Sequence, residues 1–560
     1  MTYVPSSKQQ DILDADDAVL LVLGAAGAGK TTTAAVKARK HLEQRSFARV
    51  PTARTAGAHP LERVLFLSFS RSSVARILHR SRAVLGTFAG QVEVTTFHAL
   101  SWSLIRRFGS LIDMPEPYLL SNAQAKLFSA PNALRYVDLV PKAHELLKVP
   151  AVAAHVTARW SLVICDEFQD TDDGQWALIE AIRGRSQIML LGDPNQCIYA
   201  NLPGAVGVSP ERIDVVKAML GTRCIELPEA SFRDPTGVIP AAALAIRRRE
   251  FAGPAVEAAL SSGVLEIRHD PDPGNESATV ARAVEELQAG GLSIAIFSHH
   301  NDALAALSDQ LRREGVEHEI AGLSESLSAA VEAQIAMAQF AVGVHEWTVV
   351  LQHLAIFITS AVRGKQVPSL AYQVLDRQVG SPLLTKRLDD LRQRLTGQRV
   401  DEALRIAAAA HTDLGLPTKR SAWARAVTLV LPMSAAARRR AHGASDAVVL
   451  STIDQMVTEQ RSILLTEDAH ETDAAVQLMN LHQTKGREAD ATVVILRGND
   501  FFGFERAEPY EEGSRLLYVV FSRARQRIVA LTFGAGHSGL VAPFVALAQD
   551  ASTSRPSLPL

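Results

Sequence analysis

The stretch that most constrains the fold is "AVLLVLGAAGAGKTTT" at residues 18–33. An apolar, β-prone run meets a glycine-rich turn and then a helix-compatible stretch, and the turn matches GxxxxGK[ST] in full. Glycines let backbone N–H groups curl around a phosphate at a helix N-terminus. Lys30 would neutralise phosphate oxygens and Thr31 would hold Mg²⁺. The predicted nucleotide contacts of this loop are Gly24, Gly27, Ala28, Gly29, Lys30, Thr31 and Thr32.

A second strand-like run, "SLVICDE" at 161–167, ends in two acids. Its apolar residues are typical of a buried parallel strand, which argues against a surface acid pair. Acids in that position are costly unless something positive meets them. Asp166 is therefore predicted to bind the metal through water, and Glu167 to polarise the water that attacks the nucleotide.

Composition narrows the classes of protein that are possible. The net charge of -2 over 560 residues excludes a uniformly basic nucleic-acid coat but not a local basic groove. The three cysteines, Cys165, Cys197 and Cys224, have no CxxC spacing, which argues against a disulfide framework or a zinc site. We therefore expect a cytoplasmic protein. No signal peptide is visible, and the apolar window 347–362 is too short for a membrane span, so no membrane partner is expected.

The segment "DEFQD" at 166–170 resembles motif II of superfamily 1 helicases of the UvrD/Rep/PcrA type, whose usual form is DExQD. Each further motif is weak evidence when it is taken alone, because segments of this kind usually belong to the hydrophobic core or to the solvent-exposed surface. Together they occur in the family's order. They resemble the Q motif (6–13) and motifs Ia (64–78), Ib (92–109), III (188–200), IV (229–239), V (476–490) and VI (514–531).

The resemblance implies an ATP site shared by two domains. Gln9 would read the adenine edge, Phe232 would stack on adenine and Glu488 would meet the ribose. Three groups would act on the γ-phosphate: Gln196, Arg233 and the arginine finger Arg523. Groups from two domains that meet on one phosphate would make domain closure depend on ATP.

The resemblance also implies contacts with single-stranded DNA. The residues expected there are Phe69, Thr96, Phe97, His98, Tyr199 and His482. One departure from the family's pattern weakens the predicted contacts with the DNA strand. The family often has a stacking Trp and an Arg soon after motif III, whereas this chain reads "IYANLPGAV" at 198–206.

The expected fold class is α/β, with two RecA-like P-loop motor domains, each a parallel sheet flanked by helices, and helical accessory insertions. Residues 1–100 and 161–225 would form the first motor domain, and 226–321 and 473–548 the second. Residues 101–160 would form a small helical insertion and 322–472 a larger one. Residues 549–560 would be a disordered tail.

Two functions remain open from the sequence. The first is an ATP- and Mg²⁺-dependent translocase and helicase that acts on single-stranded or tailed duplex DNA, in the 3′ to 5′ direction by resemblance. The second is a nucleic-acid-gated ATPase that serves as a sensor or as the partner of a nuclease or repair factor. Compact UvrD-like proteins of this second kind act in phage defence, as in Gabija-type systems. Unwinding of a tailed duplex by the protein alone would separate the two.

Overall fold

The computed structural model describes residues 4–48, 63–69, 74, 77, 81, 83–200, 206–228, 231–299, 301–320, 324–360, 362, 366–376, 381–440, 445–453, 475–485, 487–497 and 509–553. The chain packs into two compact units. The first contains Met1–Asp113, Leu139–Ile320 and Glu467–Leu560. The second contains Met114–Asp138 and Ala321–Thr466.

In chain order, the strands are β1 Val19–Leu23, β2 Val64–Ser68, β3 Val92–Thr96, β4 Tyr118–Leu120, β5 Ala133–Arg135, β6 Leu162–Cys165, β7 Gln187–Gly192, β8 Thr222–Glu226, β9 Leu265–Asp270, β10 Ile294–Ser298, β11 Glu319–Ile320, β12 Val476–Asn480, β13 Ala489–Arg497 and β14 Ala524–Phe533.

The helices are α1 Ser7–Asp14, α2 Lys30–Ala48, α3 Phe97–Phe108, α4 Asn122–Leu127, α5 Leu139–Leu146, α6 Pro150–Thr157, α7 Asp173–Arg183, α8 Glu211–Lys217, α9 Val238–Arg247, α10 Pro254–Ser261, α11 Glu276–Ala289, α12 Asn301–Arg313, α13 Ser324–Ala341, α14 Trp347–Thr359, α15 Ser369–Leu375, α16 Pro382–Leu395, α17 Val400–Asp413, α18 Arg420–Arg440, α19 Glu511–Phe521 and α20 Ala542–Thr553.

The first unit holds two parallel sheets. The first sheet has the strand order β3-β2-β6-β7-β1-β8 and the second has the order β11-β12-β10-β13-β14-β9. The predicted α/β class with two RecA-like parallel sheets is thereby confirmed. Strands β1, β2 and β6 are buried along their whole length, as their uninterrupted apolar sequences predict for a parallel sheet covered on both faces.

The register of the first sheet places the functional loops at one edge. Leu23, the last residue of β1, pairs with Gly192, the last residue of β7. Cys165 at the end of β6 pairs with Leu190. Because parallel strands point the same way, the phosphate-binding loop, Asp166 and Asp193 all follow carboxyl ends at this edge.

The second unit is built mainly from helices α4 and α13 to α18, with the short parallel pair β4–β5. Its core includes Trp347, Phe357 and Trp423. The apolar window 347–362 contributes α14, which has nine buried residues among its 13. Within the described ranges, no helix combines the length and the apolar character needed to cross a membrane.

The predicted domain boundaries stay a prediction, and the packing units divide the chain at other residues. Residues 101–113 and 139–160 group with the two sheets, whereas only 114–138 group with 321–466. Of the expected disordered tail, residues up to Thr553 belong to α20, because that helix buries Phe544 and Ala548. Residues 554–560 lie outside the described residues.

Candidate nucleotide-binding cleft

The phosphate-binding loop joins β1 to α2, as the sequence predicts. Gly27 and Gly29 have φ values of 81° and 84°, a region in which a side chain on Cβ is strained. A Cβ on Gly27 would also overlap Ser231 Oγ. The Lys30 ammonium donates to the carbonyl oxygens of Gly24, at 2.5 Å, and Ala25, at 3.1 Å. Lys30 therefore lies against its own loop, at the start of α2.

Thr31 and Asp166, the two predicted metal-site residues, contact each other. Thr31 Oγ1 donates to Asp166 Oδ2 at 3.3 Å. A hydroxyl and a carboxylate are hard oxygen donors, which suit Mg²⁺. That ion normally takes only one or two carboxylates from the protein and completes its shell with water and phosphate oxygens. The two side chains therefore fit the predicted ion.

Glu167 follows β6 in a left-handed backbone conformation, with φ of 55°. Such a conformation is sparsely populated for residues other than glycine, and active sites are one of the places where it recurs. Gln169 fixes the carboxylate, since its Nε2 donates to Glu167 Oε2 at 2.7 Å. The same amide accepts from Asp193 N at 3.0 Å, so it connects the ends of β6 and β7.

The electrostatic environment keeps Glu167 ionised. Burial alone would raise the pKa of this carboxyl group. The cations of Lys485, Lys30 and Arg523 outweigh burial and hold the pKa at about 2. A carboxylate that is ionised at neutral pH can accept a proton, as a general base must.

Two arginines reach the cleft, and each is bonded to protein groups. Arg523 Nη2 donates to Gln196 Oε1 at 2.7 Å, so the turn between α19 and β14 meets the loop after β7. Arg233 Nη2 donates to Glu488 Oε1 at 2.6 Å, and its Nη1 donates to the carbonyl oxygen of Ser522. Four residues predicted to contact the nucleotide are thus paired with one another or with backbone nearby.

The residues predicted to bind the base lie together at the start of α2. A Cβ built on Gly29 would be 3.0 Å from Gln9 Nε2 and 3.2 Å from Phe232 Cε2. The Gln9 side chain is buried, whereas Phe232 is 70% exposed. An exposed ring beside a buried amide offers a flat apolar surface and a polar group to a planar ligand.

Four other residues, to which the sequence patterns assign no role, also lie in the cleft: Lys485, Asp170, Tyr518 and Asp193. Lys485 from the segment after β12 forms an ion pair with Asp170, and its Nζ is 3.9 Å from Glu167 Oε2. Tyr518 OH accepts from Ala26 N at 3.4 Å and donates to Asp193 Oδ2 at 3.2 Å. Asp170, Lys485 and Tyr518 stand inside the quoted motifs, but a single sequence does not show which motif residues touch.

The structure places the predicted DNA contacts in different environments. Phe69 and Tyr199 stack on each other with ring centroids 4.7 Å apart, and the Lys485 ammonium lies 5.1 Å from the Tyr199 centroid. Thr96 caps α3, because its Oγ1 accepts from Ala99 N at 3.2 Å. His98 is half-buried.

Phe97 is only 1% exposed, so in this structure it offers no surface to nucleic acid. The apolar ring in the first turn of α3 is buried instead, which sequence resemblance alone does not reveal. The side chain of His482 lies outside the described residues.

The family comparison covers five of the six strands of the first sheet. The family model described as the UvrD/REP helicase N-terminal domain matches residues 6–127 and 120–205, which include the phosphate-binding loop, motif II and motif III. Residues 6–205 are thus similar to the N-terminal domain of UvrD/REP helicases. Lys30, Thr31, Asp166, Glu167 and Gln196 lie within this matched range, whereas Arg233, Lys485 and Arg523 lie outside it.

Individual relatives match parts of the chain. DNA helicase II of Escherichia coli is 24% identical over 305 residues, which cover 42% of this chain and 39% of the relative. ATP-dependent DNA helicase UvrD1 of Mycobacterium tuberculosis is 23% identical over 388 residues, 54% of this chain and 48% of the relative. The RecBCD enzyme subunit RecB of Mycolicibacterium smegmatis is 47% identical over 70 residues, 12% of this chain and 6% of the relative. The chain spans less than half the length of each of these relatives.

Proposed function

We propose that the protein hydrolyses ATP with Mg²⁺ and uses the energy to move along single-stranded DNA and to separate duplex DNA. The observation that supports this most is the composition of one cleft. Lys30, the Thr31–Asp166 pair and Glu167 lie at the edge of the first sheet. Arg523, from the turn between α19 and β14, reaches the same place.

The chain's own groups have separate roles in this proposal. Lys30 and the loop N–H groups bind the phosphates, and Glu167 accepts the proton of the attacking water while Gln169 holds its carboxylate in place. Arg233 and Arg523 balance the negative charge that develops on the transferred phosphoryl group. A Mg²⁺ ion held near Thr31 and Asp166 would withdraw charge from the phosphate oxygens.

Coupling to DNA is proposed to pass through the loop after β7. Gln196 accepts a hydrogen bond from Arg523, and Tyr199 stands three residues further along the chain. A ligand at either end would bias the same loop conformation. Movement in the 3′ to 5′ direction is part of the proposal and comes from the resemblance of motif V around Lys485. The proposed substrate is single-stranded or tailed duplex DNA. A cytoplasmic location, proposed too, accords with three free cysteines.

A second candidate function is a nucleic-acid-gated ATPase that works beside a nuclease or repair factor and unwinds little alone. The stacked pair Phe69–Tyr199 favours it, because each ring covers a face that a base would use. Base–aromatic stacking contributes about 1–3 kcal/mol per base, so two rings that stack on each other lower the affinity for single-stranded DNA. A partner protein would then be needed to open the track.

The test compares the unmodified protein with Lys30→Ala and with Lys40→Ala. Lys40 lies in the same helix and pairs with Asp14 at 2.5 Å, so it controls for loss of a lysine from α2. We expect hydrolysis stimulated by single-stranded DNA in the unmodified protein and in Lys40→Ala, and loss of nucleotide binding and turnover in Lys30→Ala.

Displacement of a labelled strand from duplexes with 3′ or 5′ tails then separates the two candidates. Unwinding from the 3′ tail supports the helicase. DNA-stimulated hydrolysis without unwinding supports the gated ATPase. Hydrolysis that no single-stranded DNA or RNA alters contradicts the motor, and equal nucleotide affinity in Lys30→Ala contradicts the assigned phosphate site.

A further inference from the structure

Helix α1 begins with a reciprocal pair of hydrogen bonds that involves a base-site residue. Ser6 N donates to Gln9 Oε1 at 2.9 Å, and Gln9 N donates to Ser6 Oγ at 3.3 Å. This is a capping box, which satisfies backbone donors at a helix start. Here its glutamine is also the predicted reader of the base, and it is only 2% exposed.

The capping box determines which end of the Gln9 amide faces the cleft. With Oε1 held by Ser6 N–H, Nε2 lies beside Gly29, 3.0 Å from the position of a Gly29 Cβ. That position is also 3.2 Å from Phe232 Cε2. Rotation of the amide by half a turn would set its NH₂ group against the Ser6 N–H, donor against donor. Within the described part of the chain, Gln9 Nε2 donates no hydrogen bond.

We infer that the Ser6 backbone N–H is a positioning group for base selectivity, because it holds the Gln9 amide in the orientation that adenine requires. This inference rests on the proposed ATPase function. Adenine presents an acceptor, N7, beside a donor, its exocyclic amine, whereas guanine presents two acceptors, N7 and O6. An amide with a fixed NH₂ donor and a remaining lone pair on Oε1 complements the first pattern and opposes the second.

The positioning role belongs to the main-chain N–H and not to the hydroxyl, which makes the two separable. Ser6 has φ of -69° and ψ of 167°, a conformation that proline adopts without strain. Ser6→Pro therefore removes both the N–H and the hydroxyl. Ser6→Ala removes only the hydroxyl and is the matched control for loss of the helix cap.

The experiment measures equilibrium binding of fluorescent ATP and GTP analogues to the full chain, together with kcat/KM for ATP and GTP. We expect the preference for ATP over GTP, expressed as the ratio of the two affinities or of the two kcat/KM values, to be the same in the unmodified protein and in Ser6→Ala. In Ser6→Pro the ratio should narrow by about tenfold, the effect of one well-placed hydrogen bond. An unchanged ratio in Ser6→Pro, or an equal narrowing in Ser6→Ala, overturns the inference.

A second variant tests the inference even if Ser6→Pro does not fold. Gln9→Glu keeps an acceptor for Ser6 N–H and hence keeps the capping box, but it replaces the NH₂ donor by an oxygen. ATP binding should weaken about tenfold while the chain remains folded. ATP affinity equal to that of the unmodified protein overturns the inference. Absence of ATP binding and hydrolysis in the unmodified protein would instead contradict the proposed function.

Discussion

Replacement of Lys485 by methionine is the sharpest test of how the cleft is held together. Lys485 is 3% exposed, and its partner Asp170 is fully buried. Their ion pair joins the segment after β12 to the loop after β6, and the same ammonium is 3.9 Å from Glu167 Oε2. Methionine fills a similar volume without charge, so the variant leaves two carboxylates without this cation.

The expected cost follows from these distances. Two unit charges 3.9 Å apart interact by about 4 kcal/mol at an effective dielectric constant of about 20. Breaking a buried pair by removal of one partner typically costs about 3–5 kcal/mol. We therefore expect the free energy of unfolding of the first unit to fall by about 3–5 kcal/mol. The pKa of Glu167 should also rise, because burial then acts on that carboxyl group with less opposition.

Urea unfolding measures this loss of unfolding free energy. It is applied to the unmodified protein, Lys485→Met, Asp170→Asn and the double variant. The double variant should be less destabilised than the sum of the single variants, because it leaves no unpaired charge on that pair. Arg527→Met is the matched control. Arg527 is 3.1 Å from Glu266 with its side chain 42% exposed, and such a pair contributes about 0.2–1 kcal/mol. A loss in Lys485→Met no larger than in Arg527→Met, or strict additivity, would refute the reasoning.

Three further outcomes are expected. Glu167→Gln should retain nucleotide affinity and lose about 10²–10⁴-fold in turnover, because an amide accepts no proton; steady-state hydrolysis at the normal rate would remove Glu167 from this role. Tyr518→Phe should lower the urea-measured unfolding free energy by about 1–3 kcal/mol, because buried Asp193 loses a donor; no change would contradict that bridge. Burial lowers the pKa of His41 to about 4 in the folded protein. The contribution of neutral His41 to the free energy of unfolding should therefore be complete above about pH 6.5 and lost as the pH falls through about 4, a total of about 3 kcal/mol. Urea midpoints of His41→Gln should be flatter over this range, and an equal slope would contradict the assignment.

The local patterns predicted the parts of the site that are built from adjacent residues. The glycine-rich loop and the strand that ends in Asp166 and Glu167 are encoded by short stretches with strong backbone preferences. The side of the sheet on which they meet follows from the rule that parallel strands share a carboxyl edge. The α/β class with two parallel sheets was therefore predictable from the chain alone.

The partners of the charged groups were not predictable in the same way. Lys485 and Asp170, or Tyr518 and Ala26, are far apart in the chain and meet only when both sheets are folded. Periodicity and motif spacing report local structure, so they carry no signal for such pairs. Phe97 shows a different limit of motif reasoning. The motif predicts a DNA contact there, and burial, which the motif does not reveal, leaves the side chain only 1% exposed in this structure.

The pairs in the cleft suggest how nucleotide binding is transmitted. Lys30 lies on the carbonyl oxygens of Gly24 and Ala25, Arg233 on Glu488, and Arg523 on Gln196. Each of these cations is also a proposed phosphate ligand, so nucleotide contacts and protein contacts compete for the same donors. A ligand shifts a conformational equilibrium only by its difference in affinity for the two states. A state in which Arg523 has left Gln196 would bind the phosphates more tightly than the state described here. The same release changes the loop that continues to Tyr199. We therefore expect the ATP-bound state to differ first in this loop.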